Sequence, residues 1–101
     1  MINPQMIKKL QKMQEDMKNA QEQINQSIFY GQSGGAVVKV AVKGTKEVVR
    51  IDINKNEVDI TDIEMLQDLI ISALNDAFRQ VDKELEETMG AFTQGMNIPG
   101  F

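Results

Sequence analysis

Four lysines near the start of the chain are the side chains best suited to chemistry, and that chemistry is the binding of phosphate. They stand in the segment MIKKLQKMQEDMK of a 101-residue protein whose formal net charge is −4. A lysine ammonium is a compact point charge that suits the backbone phosphates of nucleic acids. Taken alone, however, the segment favours a solvated helix face in which Glu15 and Asp16 form weak ion pairs with Lys18 and Lys12. The four are Lys8, Lys9, Lys12 and Lys18.

Basic and acidic residues are distributed unevenly. Residues 1–56 contain nine Lys or Arg and five Asp or Glu, a net charge of +4, whereas residues 57–101 contain two and ten, a net of −8. Such asymmetry can mark a nucleic-acid-binding face. Whether it does so here depends on where the charges lie in space. Arg79 and Lys83 are the two basic residues of the acidic half.

The residue types most used in catalysis are missing. The chain has no histidine and no cysteine, which removes the usual general base near neutral pH, the usual nucleophilic pairs and the usual zinc ligands. Asp52 and Asp76 are possible catalytic carboxylates, but Asp52 fits the alternation of a strand and Asp76 fits a solvated helix face. We predict no enzyme, no cofactor, no metal and no small-molecule substrate.

Length and apolar patterning predict one cytoplasmic domain over residues 1–101. The longest apolar runs are far shorter than the roughly 20 residues that span a bilayer, and lysines interrupt any secretory signal. No membrane partner is therefore expected. The absence of cysteine fits a reducing compartment.

The order of elements is predicted as helix, strands, helix. From Pro4, with Asn3 as its cap, apolar residues recur in steps of four and three and form a narrow seam, with Lys8 and Lys12 nearly opposite it. The period then changes to two. A short strand through Phe29 and Tyr30 and two longer strands form an antiparallel meander with one apolar and one basic face. The seam residues are Met6, Leu10, Met13, Met17, Ala20 and Ile24, and the strand residues facing one side are Val38, Val40, Val42, Val49, Ile51 and Ile53.

A second helix is predicted from a capping box of Thr61 and Glu64 to Gly90. Its first half is apolar around most of its circumference, which one sheet face cannot cover, so we expect a second copy of the chain to cover the rest. Its second half is predicted to project as a charged arm, and residues 90–101 to form a flexible tail. The predicted dimer interface consists of Val38, Val40, Val42, Leu69 and Ala73.

Four segments together resemble the YbaB/EbfC family of bacterial nucleoid-associated proteins. They are the lysine- and methionine-rich first helix, the strand pair GGAVVKVAVKGTKEVVRIDI, the helix TDIEMLQDLIISALNDAF and the ending MNIPGF. The resemblance covers nearly the whole chain. It implies an α-β-β-β-α fold of the α+β class, a tweezers-like homodimer with helical arms, and duplex DNA binding of low sequence preference in the nucleoid, with effects on chromosome organisation and gene expression.

With this resemblance, we predict that double-stranded DNA is the partner and is held mainly through its phosphates. The chain has no motif with Arg or Asn set for bidentate contacts to bases, and few aromatic residues for stacking on single strands. The alternative is a protein-interaction module that uses the methionine seam and the apolar tail. The predicted DNA-binding residues are Lys8, Lys9, Lys12, Lys18, Arg79 and Lys83.

Overall fold

The chain folds as a helix, three strands and a second helix. The computed structural model describes residues 3–96, with side chains to residue 92. The strands pair antiparallel in the order β1-β2-β3, which confirms the predicted meander and the α-β-β-β-α fold. The elements are α1 (Pro4–Gln26), β1 (Ile28–Ser33), β2 (Val38–Lys43), β3 (Val48–Ile53) and α2 (Ile63–Met96).

The start of α1 is as predicted. The side chain of Asn3 accepts a hydrogen bond of 2.8 Å from the backbone N–H of Met6, and Pro4 occupies the first helical position. Proline suits this position because its missing N–H would have no partner within the helix. The N-terminal end of α1 is therefore defined by its own sequence.

The turn between β2 and β3 contacts both helices. A Cβ at Gly44 would overlap the backbone carbonyl of Ile24, so only glycine allows the turn to pack against the last turn of α1. From the same turn, Lys46 Nζ lies 2.9 Å from Asp82 Oδ1 and 5.9 Å from the centre of the Phe78 ring. The β2–β3 turn thus marks a common level at which Ile24 of α1 and Asp82 of α2 meet the sheet.

The core lies between α2 and one face of β1 and β2. Gly31 of β1 allows the closest approach, because a Cβ there would overlap backbone atoms of Ala73 and Ala77. Small residues on α2 thus let the helix backbone lie directly on the sheet. The buried core residues are Val38, Val40, Val42, Ala73, Ala77 and Val81.

Four of the five residues predicted for the dimer interface are buried within the subunit. Val38, Val42 and Ala73 have no exposed surface, and Val40 is 2% exposed. These side chains pack between α2 and the sheet of the same subunit. The prediction that these four form an interface between copies stays a prediction. Leu69 is partly buried against the same core, and its place at an interface stays a prediction.

The third strand is left uncovered by α2. The helix packs on β1 and β2, and all six residues of β3 are exposed. In the strand register Ile53 pairs with Val38 and Ile51 with Val40. Because paired residues point to the same side of a sheet, Ile51 and Ile53 lie on the core face but extend beyond the helix that covers it.

The cap of α2 differs from the prediction. Asp62 is the cap, since its side chain accepts a 3.1 Å hydrogen bond from the backbone N–H of Met65. Thr61 instead donates from its hydroxyl and its backbone N–H to Asp59, and these bonds hold the pKa of Asp59 below its usual range. The predicted capping box is wrong by one residue because Thr61 is engaged in a turn with Asp59.

Helix α2 also continues through Gly90, where we predicted its end, to Met96. A glycine within a helix costs about 1 kcal/mol relative to alanine, which is too little to stop a helix that is otherwise supported. The part of the predicted tail that follows Met96, residues 97–101, lies outside the described residues.

Replacing Gly90 with alanine is expected to raise the free energy of unfolding by about 0.5–1 kcal/mol, because alanine loses less backbone entropy in a helix. An added Cβ would meet nothing within 4 Å. Urea unfolding followed by circular dichroism measures the change. The matched control is Gly31→Ala, where the Cβ overlaps the backbone of α2 and stability should fall. A destabilised Gly90→Ala protein would contradict a continuous helix.

The subunit is elongated because both helices continue past the sheet. Its principal extents are 68 × 25 × 16 Å, and its radius of gyration is 19.6 Å, against about 13 Å expected for a compact domain of this length. The N-terminal part of α1 and the C-terminal part of α2 form this projection, which we call the arm. The predicted projecting arm is present, and its distal end includes the start of α1.

Candidate nucleic-acid interface

The first three turns of α1 carry a cationic cluster and contain no acidic residue. Residues 4–14 include three lysines and no Asp or Glu, and all three lysines are exposed. Within residues 3–96, none of them takes part in an ion pair. The ion pairs with Glu15 and Asp16 that a purely solvated face would have are not formed. The cluster consists of Lys8, Lys9 and Lys12, and we call it the tip cluster.

Helix geometry keeps the three ammonium groups of the tip cluster on neighbouring positions. Lys8 and Lys12 are separated by one turn, about 6 Å along the axis, and Lys9 lies about 100° around the helix from Lys8. A depression of about 560 Å³ borders this surface and is lined by Asn3, Gln5, Met6, Lys8, Lys9 and Lys12. The cluster can therefore present several positive charges to one polyanion, and each lysine stem remains free to adjust.

Lys18 does not belong to the tip cluster. It lies about 9 Å further along α1 than Lys12 and is turned about 120° around the helix axis. Glu15 and Glu22 are its neighbours three and four residues away on the same helix, so the local charge there is balanced. The structure separates this predicted DNA-binding residue from the other three of α1.

The two predicted basic residues of α2 are also remote from the tip cluster. Arg79 lies 3.8 Å from the carboxylate of Asp76, and Lys83 is exposed among Asp82, Glu84, Glu86 and Glu87. Both lie near the level of Asp82, whereas Lys12 is about 18 Å further out along the arm. A phosphate contact by Arg79 or Lys83 would therefore need DNA to extend along the acidic helix.

The outer face of the sheet contains the other basic residues that the sequence suggested. Lys43 Nζ lies 3.5 Å from Glu47, and Arg50 Nε lies 2.8 Å from Asp52. Lys39 forms no ion pair with any residue in the described part of the chain. Two of the three positive charges are thus locally neutralised, and this face is a weaker candidate than the tip cluster.

An uncovered apolar surface lies on the core side of β3, and the sequence did not locate it. Val48, Ile51 and Ile53 are 40%, 43% and 38% exposed. On α2, Ile71 is 55% exposed and lies two turns from Phe78, on the side that faces the β2–β3 turn. We call this surface, Val48, Ile51, Ile53 and Ile71, the open apolar face. The excess of apolar residues on α2 signalled that such a face exists, but its position depends on where the helix crosses the sheet.

Metal and membrane sites are not indicated. In residues 3–96 no group of three or more Asp or Glu side chains is arranged to hold a metal ion. Neither described helix has an apolar stretch long enough to cross a lipid bilayer.

These features define an α+β subunit whose helical arm carries, at its tip, a cationic cluster suited to a polyanion. The family model described as the YbaB/EbfC DNA-binding family matches residues 2–96. The chain belongs to this family, as its sequence segments indicated.

Relatives and a solved structure support this assignment. A nucleoid-associated protein of Exiguobacterium sp. is 50% identical over 86 residues, covering 85% of this chain and 82% of that protein. A nucleoid-associated protein of Oceanobacillus iheyensis is 45% identical over 95 residues, covering 94% and 91% of the two chains. The crystal structure of an uncharacterized protein from Helicobacter pylori matches with a TM-score of 0.68 at 25% identity, covering 93% of this chain and 98% of that one.

Proposed function

We propose that this protein is a nucleoid-associated protein that binds duplex DNA as a homodimer, mainly through phosphate contacts and with low sequence specificity. The observation that carries the proposal is the tip cluster: Lys8, Lys9 and Lys12 are exposed and form no ion pair within residues 3–96. Membership of a DNA-binding family supports duplex DNA as the polyanion. The relatives named as nucleoid-associated support a location on the chromosome.

Low sequence specificity follows from the chemistry of the cluster. Lysine offers a mobile point charge, whereas reading a base pair usually needs a planar bidentate group such as the side chain of Arg or Asn in the major groove. Lysines on a helix surface can instead pair with phosphates of any sequence. The acidic half of the protein repels the DNA backbone, so the electrostatic field favours approach at the tip of the arm.

The open apolar face supports a homodimer. Val48, Ile51 and Ile53 continue the core face of the sheet without cover, and a symmetric contact between two such faces would bury both at once. Dimerisation would double the tip cluster from three lysines to six. Since non-specific affinity depends on the number of phosphates neutralised, a dimer gains affinity that one arm alone lacks.

A role in nucleoid organisation and gene regulation fits these properties. A dimer with two cationic arm tips can contact DNA at many positions without a recognition sequence. Such contacts change the path or the accessibility of DNA wherever the protein is abundant. We propose this role on the strength of the family and the two arm tips together.

Duplex affinity measured against salt concentration tests the proposal. For six phosphate contacts, the slope of log K against log salt is expected to be about −5, and affinity should fall about 10³-fold between 50 and 200 mM salt. Fluorescence anisotropy with duplexes of two unrelated sequences measures both the slope and the specificity. Absence of binding at 50 mM salt would refute the DNA-binding function, and a large difference between the duplexes would refute low specificity.

A second hypothesis is a protein-interaction module. Met6, Ile7 and Leu10 of the α1 seam are 53%, 44% and 43% exposed, and methionine-rich surfaces adapt to varied partners. This function requires no DNA affinity. The salt titration therefore separates the two hypotheses.

A further inference from the structure

Met6 presents an apolar side chain within the cationic surface of the tip cluster. Its exposed fraction is 53%. The depression of about 560 Å³ at the tip of the arm is lined by Asn3, Gln5, Met6, Lys8, Lys9 and Lys12. Apart from Met6, these lining residues carry amide or ammonium groups. A ligand that suits the depression therefore offers negative charge and an apolar surface side by side.

Helix geometry places Met6 next to the lysines and its apolar neighbour Ile7 away from them. At 100° per residue, Met6 and Lys9 are about 60° apart around the axis of α1 and less than one turn apart along it, whereas Ile7 and Lys9 are about 160° apart. Among the described residues of α1, Met6 lines the depression and Ile7, which is 44% exposed, does not. Position relative to the lysines, and not exposure, thus distinguishes these two side chains.

We propose that Met6 contacts DNA by packing on the deoxyribose next to the phosphates held by the tip cluster, an inference that rests on the proposed function because it adds a contact to the same surface. In duplex DNA a sugar joins each phosphate to the next, so apolar C–H groups lie beside every charge that a lysine binds. The unbranched, flexible side chain of methionine adapts well to such an irregular apolar surface.

The sugar suits this position better than a base does. Base edges present the thymine methyl group as an apolar contact in the major groove, and binding to it would make affinity depend on base composition. The deoxyribose offers the same surface at every nucleotide. Contact with the sugar therefore adds affinity without adding sequence preference, as the mobile charges of the lysines also do.

The contact made by Met6 should differ from the lysine contacts in its response to salt. Salt dependence arises because counterions are released when phosphates are neutralised. Burial of apolar surface is driven by the removal of that surface from water and does not require the release of ions. The lysines therefore set the slope of log K against log salt, whereas Met6 raises the affinity by the same factor at each salt concentration.

Salt titration of two alanine variants of the whole chain tests this inference. Met6→Ala is compared with Ile7→Ala, which removes an apolar side chain of similar exposure from the side of α1 turned away from Lys9. Alanine is the best helix former, so neither change weakens α1. Met6→Ala is expected to lower duplex affinity about fivefold at each salt concentration with an unchanged slope, and Ile7→Ala by less than about twofold. Met6→Leu keeps an apolar side chain and should retain most of the affinity.

A duplex with deoxyuridine in place of thymidine separates the sugar from the base, because it lacks only the thymine methyl groups. The wild-type protein should bind both duplexes equally. A loss of affinity for the deoxyuridine duplex that Met6→Ala abolishes would overturn the sugar contact by assigning Met6 to a base edge.

Two further results would overturn the inference. Equal affinities of the wild type, Met6→Ala and Ile7→Ala would remove Met6 from the DNA contact while leaving the DNA-binding function intact, whereas a wild type that does not bind at all refutes that function as well. A smaller mass of Met6→Ala than of the wild type, measured by light scattering, would assign Met6 to an interface between copies.

Discussion

Replacing Lys8, Lys9 and Lys12 together with glutamate is expected to abolish duplex binding, with a loss of at least about 10³-fold at 50 mM salt. Each substitution removes a phosphate contact and adds a repulsive charge at the tip of the arm. The three lysines have no partner among the described acidic residues, so the folded state loses no ion pair. Helix content and oligomeric state should therefore remain unchanged. Fluorescence anisotropy with a short duplex measures the loss.

The matched control separates local contacts from net charge. Lys39, Lys43 and Lys55 lie away from the tip cluster, and replacing all three with glutamate also changes the formal net charge from −4 to about −10, by two units per substitution. The control protein should retain most of the wild-type affinity at moderate salt. Equal losses in the two proteins would show that total charge, and not the tip of the arm, determines binding. A neutral Lys→Gln triple variant should have a salt slope close to zero.

Replacing Ile51 with aspartate is expected to dissociate the dimer while leaving the subunit folded. Ile51 is 43% exposed in the single chain, so a charge there is tolerated by the subunit but would be buried without a partner at a symmetric interface. Light scattering coupled to size exclusion should give twice the 11.4 kDa chain mass for the wild type and the chain mass for the variant. Duplex affinity should fall, and the salt slope should decrease from about −5 to about −3.

Tyr30→Asp is the control for this substitution. Tyr30 is 71% exposed on β1, paired with Ala41 on the face of the sheet opposite Val40. It should keep the dimeric mass, because a single apolar side chain on the outer face is not part of the open apolar face. A dimeric Ile51→Asp protein, or a monomeric wild type, would contradict the proposed interface.

Local patterns in the sequence predicted the elements well because local forces form them. The step of three and four from Met6 to Ile24 and the alternation from Val38 to Val42 correspond to α1 and β2. The errors occurred where two local interactions compete. Thr61 donates its hydroxyl hydrogen bond to Asp59 instead of capping α2. At Gly90, the interactions that stabilise α2 outweigh the roughly 1 kcal/mol that one glycine costs a helix.

The partition of apolar residues between core and interface could not be predicted from the chain alone. Val38 and Ile53 are paired neighbours on one sheet face, yet Val38 has no exposed surface and Ile53 is 38% exposed. The difference arises because α2 packs over β1 and β2 and does not reach β3. A period of two reports which face a residue points to, but it does not report what covers that face.

The sequence by itself determined the order of the elements, the family and the presence of a basic segment in an acidic protein. It could not decide which of the six predicted cations act together. That choice belongs to the tertiary structure, which leaves Lys8, Lys9 and Lys12 at the far end of the arm and keeps Arg79 and Lys83 beside acidic residues nearer the sheet. The physical reason is that electrostatic attraction depends on distances in space, and the distances between α1 and α2 are set by how both helices pack on the sheet.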